Sequence, residues 1–276
     1  MEKKAEITAS IVLYHSDEIM VKKAIDSYKP SSQRYLYIVD NSEERTDTYR
    51  SLPFTEYIFN GKNEGYGAAH NIAMKKAIEM GSQYHIVLNP DVSFEPSVID
   101  TLKEYADTHD DVIYLLPKVI YPDGTLQYLC KLLPTPADLI FRRFLPSSWV
   151  KKTNDRYCLK MSGYDKIMNP PCLSGCFMFI RMDAVKEHDL FFDERYFMYC
   201  EDFDLMRRMH RFGKTVYYPY VHIVHDHAKA SYKSKKMLLI HMHSAIQYFN
   251  KFGWIFDKER QEMNQKILNE IEEAGK

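Results

Sequence analysis

The sequence has no surplus of either charge. Its 276 residues carry 37 Lys and Arg against 38 Asp and Glu, a formal net charge of -1. A dedicated nucleic-acid binder normally carries a strong basic excess, so that class is excluded. Long apolar runs are also missing: none approaches the ~18–20 residues that a membrane span requires. Met1 to Glu6 leads straight into a strand-like segment without a secretory h-region, which makes a cytoplasmic location the expectation. Cysteines are few. The five (Cys130, Cys158, Cys172, Cys176 and Cys200) are odd in number and contain no C-x-x-C pair. That argues against a disulfide framework or a structural zinc site, and for buried free thiols in a reducing compartment. A glycine-rich loop after the first strand is absent as well. Tyr14-His15-Ser16-Asp17 stands there, which excludes the G-x-G-x-x-G turn of a nicotinamide-dependent dehydrogenase. It equally lacks the basic, Gly-rich loop that a sugar nucleotidyltransferase needs.

What is present reads as a globular α/β chain. Hydrophobic residues make up 45% and charged residues 27%, ordinary values that exclude disorder as the main state. Aromatics reach 14%, with 21 Tyr, enough for a well-filled core or for the lining of a sugar or lipid groove. The length suits one large domain with an appended tail.

The first half alternates strand-like and helix-like segments, the pattern of a parallel sheet with helices on both faces. Strands are expected at Ile7 to Tyr14, Tyr35 to Val39, Glu56 to Phe59, Tyr84 to Leu88 and Val112 to Leu116. Asp17 can cap a helix whose apolar positions are Val21, Ala24, Ile25 and Tyr28, and Pro30 ends it. Gly65 to Met80 reads as a helix with a face of Ala69, Ile72, Ala73, Lys76, Ala77 and Met80, stopped by Gly81. Pro96 to Ala106 is another, with proline near its start. Leu133 to Pro171 is rich in proline and basic residues and reads as a long functional loop. Cys172 to Arg181 then reads as a buried strand, Glu201 to Phe212 as a helix, Thr215 to Tyr218 and Val221 to Val224 as short strands, and Ser234 to Lys251 as a helix. From Asp257 the tail carries Met263, Ile267 and Ile271 at i, i+4, i+8. It reads as a narrow amphipathic helix: a solvated terminus, a lid, or a contact with a membrane or a second copy in a homo-oligomer.

Polar residues collect at strand ends, where open α/β sheets bind ligands. Asp40 follows the second strand, Asn63 and Gly65 precede a helix N-terminus that favours an anion, and Asp91 follows the fourth strand. Asp91 has two readings. It can hold a hard divalent cation shared with diphosphate oxygens, or close an exposed Asn-Pro turn. Glu201 and Asp202 can cap their helix, or supply a general base with a carboxylate beside it that orients substrate. His222, His225 and His227 surround Asp226 without an evident fourth zinc ligand; one histidine completing the Asp91 site is more economical. No acid lies between Ala228 and Phe256. There Lys229, Lys233, Lys235, Lys236 and Lys251 interleave with Tyr232, Tyr248, Phe249, Phe252, Trp254 and Phe256. Arg142, Arg143, Phe144, Leu145, Trp149, Lys151 and Lys152 add to this basic-aromatic surface. It suits an anionic membrane or a pyrophosphate-bearing acceptor, against a plain solvated face over core aromatics.

In order, these segments resemble the family-2 inverting glycosyltransferases with the GT-A fold, in particular the bacterial rhamnosyltransferase-like group. The stretches that carry the resemblance are Ser10-Ile11-Val12-Leu13-Tyr14, Ile38-Val39-Asp40-Asn41-Ser42, Asn63-Glu64-Gly65-Tyr66-Gly67-Ala68-Ala69-His70-Asn71, Leu88-Asn89-Pro90-Asp91, Leu173-Ser174-Gly175-Cys176-Phe177-Met178 and Tyr199-Cys200-Glu201-Asp202-Phe203-Asp204-Leu205. They span about residues 7–255. The resemblance implies a mostly parallel central sheet with helices on both faces. Residues 1–255 would form the transferase domain, its nucleotide-binding half 1–125 and its acceptor-binding half 126–255, followed by a C-terminal helix over 256–276. It implies a nucleotide-sugar donor, dTDP-L-rhamnose first and a UDP-sugar as the alternative. The acceptor would be a saccharide, free or linked to polyprenyl diphosphate, met at the inner membrane face by a peripheral protein. Tyr14 and Asp40 would contact the nucleoside; Asn63, Gly65 and Asn71 would line its pocket. Asn89 and Asp91 match the Asp-x-Asp position that meets Mg2+ or Mn2+ and the diphosphate. Ser174 and Gly175 would pass close to the donor sugar and acceptor, Asp202 would be the base with Glu201 beside it, and His225 or the nearby His227 would be the late metal ligand. The chain departs from the pattern twice: Asn89 replaces the first acid of Asp-x-Asp, and Tyr14-His15 stands where relatives often have Tyr-Asn. A degenerate nucleotide- or glycan-binding module would have no need of both Asp91 and Asp202.

Overall fold

The computed structural model describes residues 5–140, 147–226 and 235–274, without the side chains of 147–150. Its core is an eight-stranded sheet of order β3-β2-β1-β4-β7-β6-β8-β5. The strands are β1 (Ile7–Leu13), β2 (Arg34–Asp40), β3 (Thr55–Phe59), β4 (Tyr84–Leu88), β5 (Val92–Ser93), β6 (Val112–Ile120), β7 (Phe177–Arg181) and β8 (Lys214–His225). β3, β2, β1 and β4 are parallel, as the alternating pattern requires. β7 then inserts antiparallel between β4 and β6, and β8 pairs parallel to β6. Strands β1, β2 and β4 are almost entirely buried, the mark of a sheet covered on both faces.

The helices are α1 (Glu18–Tyr28), α2 (Tyr66–Met80), α3 (Ser97–Asp107), α4 (Pro136–Leu139), α5 (Ser147–Tyr157), α6 (Met182–His188), α7 (Glu201–Met209), α8 (Lys235–Phe252) and α9 (Lys258–Ala274). Asp17 caps α1 as expected, accepting from the Ile19 and Met20 amides at 2.8 and 3.1 Å. The small side chains of Ala69 and Ala73 let α2 lie against Tyr35, Tyr37 and Val39. The buried face of α2 is rotated from the expected one. Gly67, His70, Asn71 and Met74 are buried, while Ile72, Lys76 and Met80 are only partly covered. The buried polar members are satisfied by specific partners, which apolar periodicity does not register.

Other differences have local causes. The expected strand from Cys172 begins only at Phe177, because Ser174-Gly175 turns the chain towards α7. The two short strands expected around residue 220 are one strand, β8, with a register slip opposite Pro117 and Lys118. Pro219 falls in that bulge, where a missing ladder donor is tolerated. β5 is too short to show periodicity. The Leu133 to Pro171 stretch contains α4 and α5. Arg142, Arg143, Phe144 and Leu145, the side chain of Trp149, and His227, Lys229, Tyr232 and Lys233 lie outside the described residues. All five cysteines are buried and none is in a disulfide.

The tail helix α9 packs on its own chain. Ile267 and Leu268 are buried, and Met263 and Ile271 pack against the main core. Asn264 holds the Leu133 backbone at both ends, accepting from its amide at 2.7 Å and donating to its carbonyl at 2.9 Å. The apolar stripe is thus spent within the molecule rather than as a solvated or free lid helix.

Candidate active site

The C-terminal ends of β1, β2 and β4 open onto a cleft of about 350 Å³ lined by Tyr14, Asn41, Asn63, Gly65, Tyr66, Asn89, Asp91 and Met198. Gly65 admits no side chain. Its φ is +93°, and a Cβ there would sit 2.5 Å from the Phe197 carbonyl oxygen, which accepts from the Tyr66 amide at 3.0 Å. Asn63 accepts from the Gly65 amide at 3.0 Å. Asn41, which the motif reading did not single out, donates to the Gly65 carbonyl at 3.2 Å and accepts from Asn60 at 2.8 Å, tying the loops after β2 and β3 together.

Asp40 lies in an adjoining cavity of about 290 Å³ with His15, Ser42, Glu43, Thr46 and Tyr49. It is buried, and its carboxylate already accepts from the Tyr57 hydroxyl at 2.6 Å and the Ser42 amide at 2.9 Å. Tyr14 is exposed at the junction of the two cavities, its ring edge-on to His15 at 4.4 Å. Asn71 is not brought into the cleft. It is buried and spends its amide on Phe192, donating to the carbonyl at 2.9 Å and accepting from the amide at 2.9 Å. The nucleotide-pocket expectation for Asn71 is therefore corrected: it clamps the 192–194 segment onto α2.

Antiparallel pairing places Asp91 beside His225. Val92 pairs with His225, and the Asp226 amide donates to the Asp91 carbonyl at 2.9 Å. Strand alternation turns His225 inwards and leaves His222 exposed. Asp91 Oδ1 is buried without a hydrogen bond of good geometry and faces His225 Nε2 at 3.4 Å. On its other side, His225 Nδ1 lies 3.0 Å from Gln127 Oε1, which fixes the ring. Burial opposes a charge on His225, but Cys176 and Asp91 beside it outweigh that and push it up to about 10. Among the described residues there is no group of three acidic, histidine or cysteine ligands. The Asp91 carboxylate is the oxygen ligand that Mg2+ or Mn2+ takes, with diphosphate oxygens and water to complete the shell, and the His225 imidazole would be the softer of the two donors.

Glu201 and Asp202 open α7. Glu201 is buried and its Oε2 has no hydrogen-bond partner; Asp202 keeps partial exposure. Burial and the Asp202 charge push Glu201 up to about 8. Burial also raises Asp202, opposed by the Lys131 charge and by the amides of Phe203 and Gly175. Burial and the neighbouring charge therefore favour holding a proton on Glu201, beside an Asp202 whose carboxylate the Lys131 charge and two amides support. Gly175 packs tightly on the base: a Cβ there would lie 3.3 Å from Asp202 Cβ, and the Asp202 side chain would have to give by a few tenths of an ångström.

Tyr66 joins the two halves; the sequence places it in a matched motif but gives it no role of its own, because its partners lie far along the chain. Its hydroxyl lies 2.9 Å from Asn89 Oδ1 and 2.8 Å from the Gly175 carbonyl. Burial raises its pKa, and the negative charges of Glu201, Asp202 and Asp91 add to this. Through Asn89 on one side and Gly175 on the other, this hydroxyl links the loop that carries Asp91 to the backbone that packs against Asp202.

A glycosyl transferase family 2 model matches residues 20–189. The rhamnosyltransferase WbbL of Escherichia coli (strain K12) is 27% identical over 86% of this chain and 90% of its own length. The N-acetylglucosaminyl-diphospho-decaprenol L-rhamnosyltransferase of Mycobacterium tuberculosis (strain CDC 1551 / Oshkosh) is 29% identical over 67% of this chain; the alignment spans 66% of that protein. Among solved structures, S. aureus TarS 1-349 in complex with UDP-GlcNAc superposes with a TM-score of 0.58 at 15% identity, over 96% of this chain and 72% of that one. The longer TarS chain also gives 0.58, with this chain spanning 43% of its length. These structural likenesses establish the GT-A fold, and the family match covers more than half of the sequence. The chain belongs to glycosyl transferase family 2 and is a glycosyltransferase.

Proposed function

We propose that this enzyme transfers L-rhamnose from dTDP-L-rhamnose, with inversion, to a saccharide acceptor carried on polyprenyl diphosphate. The observation that carries this reading is the Tyr66 hydroxyl, which lines the Asp91 cleft and bonds the Gly175 carbonyl, on the backbone that packs against Asp202. The nucleoside lies along Tyr14, Asn63 and Gly65, with Asp40 in the adjoining cavity. Asp91 and His225 hold a divalent cation, Mg2+ or Mn2+, which when bound supplies the charge that a departing diphosphate needs. Asp202 takes the proton from the acceptor hydroxyl as its oxygen attacks the anomeric carbon. Glu201, protonated beside it, keeps a second negative charge away from the incoming oxygen. The rhamnosyltransferase relatives support the sugar, and the decaprenol-linked name of one supports the lipid-linked acceptor. A UDP-sugar is the second reading, favoured by the likeness to the UDP-GlcNAc complex of TarS.

Thermal unfolding with a panel of nucleotide sugars tests the donor. dTDP-L-rhamnose with Mg2+ or Mn2+ is expected to raise Tm, since ligand at a hundred times Kd stabilises by about 2.7 kcal/mol. Chelator is expected to remove most of that rise. A panel in which no nucleotide sugar moves Tm would refute the reading; a rise with UDP-sugars alone would select the second one.

We further propose a peripheral contact with anionic lipid. No described helix is long and apolar enough to cross a membrane. Leu239 on α8 is 71% exposed, and Ile255 and Phe256 beyond it are 73% and 92% exposed, on a stretch without acidic residues. Lys151, Lys152, Lys235 and Lys236 are exposed. Three members of the expected patch are used elsewhere: Tyr248 and Phe249 are core residues, and Lys251 pairs with Asp193 and Asp204. Each lysine near an anionic surface contributes about 1 kcal/mol. Replacing Lys235 and Lys236 by Gln and Phe256 by Ser is therefore expected to lower binding to phosphatidylglycerol vesicles more than tenfold at low salt. Unchanged binding would leave a plain solvated face.

A further inference from the structure

Asn89 stands where the family pattern has an acid, and the hydrogen bonds around it supply a reason. The Tyr66 hydroxyl touches two oxygens, Asn89 Oδ1 at 2.9 Å and the Gly175 carbonyl at 2.8 Å. A phenol has one proton to give, and a carbonyl can only accept. Two acceptors around one hydroxyl would leave one of these close contacts without a proton. Exchanging the two ends of the Asn89 amide leaves every heavy atom in place and resolves the conflict. The amide NH2 then donates to the Tyr66 oxygen, and Tyr66 donates onward to Gly175. A carboxylate at position 89 has no proton to give at neutral pH. It would draw the Tyr66 proton to itself in a stronger, charge-assisted bond and strip the Gly175 carbonyl of its donor.

Gly175 matters because of its neighbour. Its Cα packs so closely that a Cβ would lie 3.3 Å from Asp202 Cβ and 3.8 Å from Asp202 Oδ2. The same backbone is fixed on the donor side, where the Asn89 amide donates to the Cys176 carbonyl at 2.9 Å. The geometry points to a one-way hydrogen-bond relay, Asn89 to Tyr66 to Gly175, in which Asn89 and Tyr66 are positioning residues for the base Asp202 and Asn89 is not a cation ligand. This rests on the transferase reading of the site. The departure from Asp-x-Asp is then a requirement of the relay and not a weakened metal site.

The test uses Asn89→Asp, Tyr66→Phe and the double variant in the full chain. Each single variant is expected to lower kcat about tenfold, the factor that corresponds to one hydrogen bond. Affinity for the nucleoside diphosphate with Mg2+, by calorimetry, should stay within about twofold, because uniform binding is untouched. The double variant should lose no more than either single one, since both break the same chain. Hydrogen exchange supplies a readout independent of turnover: the peptide over residues 173–177 should exchange faster in both single variants, with the rest of the sheet unchanged. Wild-type or higher turnover in Asn89→Asp, together with tighter Mg2+-dependent binding, would overturn the relay in favour of a metal ligand. Additive losses in the double variant would overturn it as well. A wild-type enzyme without activity on any nucleotide sugar, but with the exchange pattern intact, would count against the transferase reading and leave the relay standing.

Discussion

Replacing Asp257 by Ala is expected to destabilise the protein by about 3–5 kcal/mol, the usual cost of stripping one partner from a buried ion pair. Arg207, on the helix that begins with Glu201 and Asp202, is one of the largest fully buried side chains. Its guanidinium meets Asp257 in a two-pronged contact at 2.7 and 2.5 Å and Glu259 at 2.7 Å. The Phe252 ring lies 4.2 Å beneath the charge. Asp257 also accepts from the Arg260 amide at 3.0 Å at the start of α9. One substitution therefore takes the two-pronged partner from a buried cation, leaving it Glu259 alone, and removes a helix cap. Scaled to a chain of this size, Tm should fall by on the order of 10 °C. The pair Arg207→Met with Asp257→Leu should recover part of the loss, because it removes the buried cation together with its partner, while Arg260 loses Asp257 and keeps its two carbonyl contacts. A loss below about 1 kcal/mol on Asp257→Ala would show that α9 is not anchored through this pair.

That anchor illustrates where the sequence was readable and where it was not. Strands β1, β2 and β4 announce themselves as short β-rich apolar runs, and α1 and α2 by caps and spacing. The residues that follow β3 and β4, Asn63, Gly65, Asn89 and Asp91, meet in one cleft because parallel strands all end on the same side. The inward turn of His225 followed from strand alternation once β8 was known to run through Pro219. Tyr66 and Asn71 were harder. Both lie on one helix within a matched motif, yet one faces the cleft and the other clamps a loop more than a hundred positions away. No local period separates those roles, since each depends on a distant partner. The amphipathic stripe of α9 had the same ambiguity: its spacing shows that a face is buried, and only the fold shows against what.

The central claim is that Asp202 is the base of a single displacement at this cleft. Asp202→Asn keeps the shape and can still interact with the amides of Phe203 and Gly175, but it cannot take a proton. General-base catalysis by a positioned carboxylate contributes about 10²–10⁴-fold, so turnover should fall by that factor. The pH profile should change with it. In the wild type, burial raises the Asp202 pKa. Activity should therefore be absent where the carboxyl is protonated and rise with pH on a limb above the ordinary carboxylate range. A second step is expected near pH 8, where Glu201 gives up its proton. The stability effect has the opposite sign: two carboxyls favoured as neutral acids in the folded state make the protein less stable as pH rises through that window. The most direct measurement compares kcat and nucleoside diphosphate affinity in the wild type and Asp202→Asn across pH. The account predicts a loss of turnover by orders of magnitude, disappearance of the low-pH limb and nucleotide affinity within about twofold. Turnover retained at the wild-type level with the low-pH limb intact would contradict it.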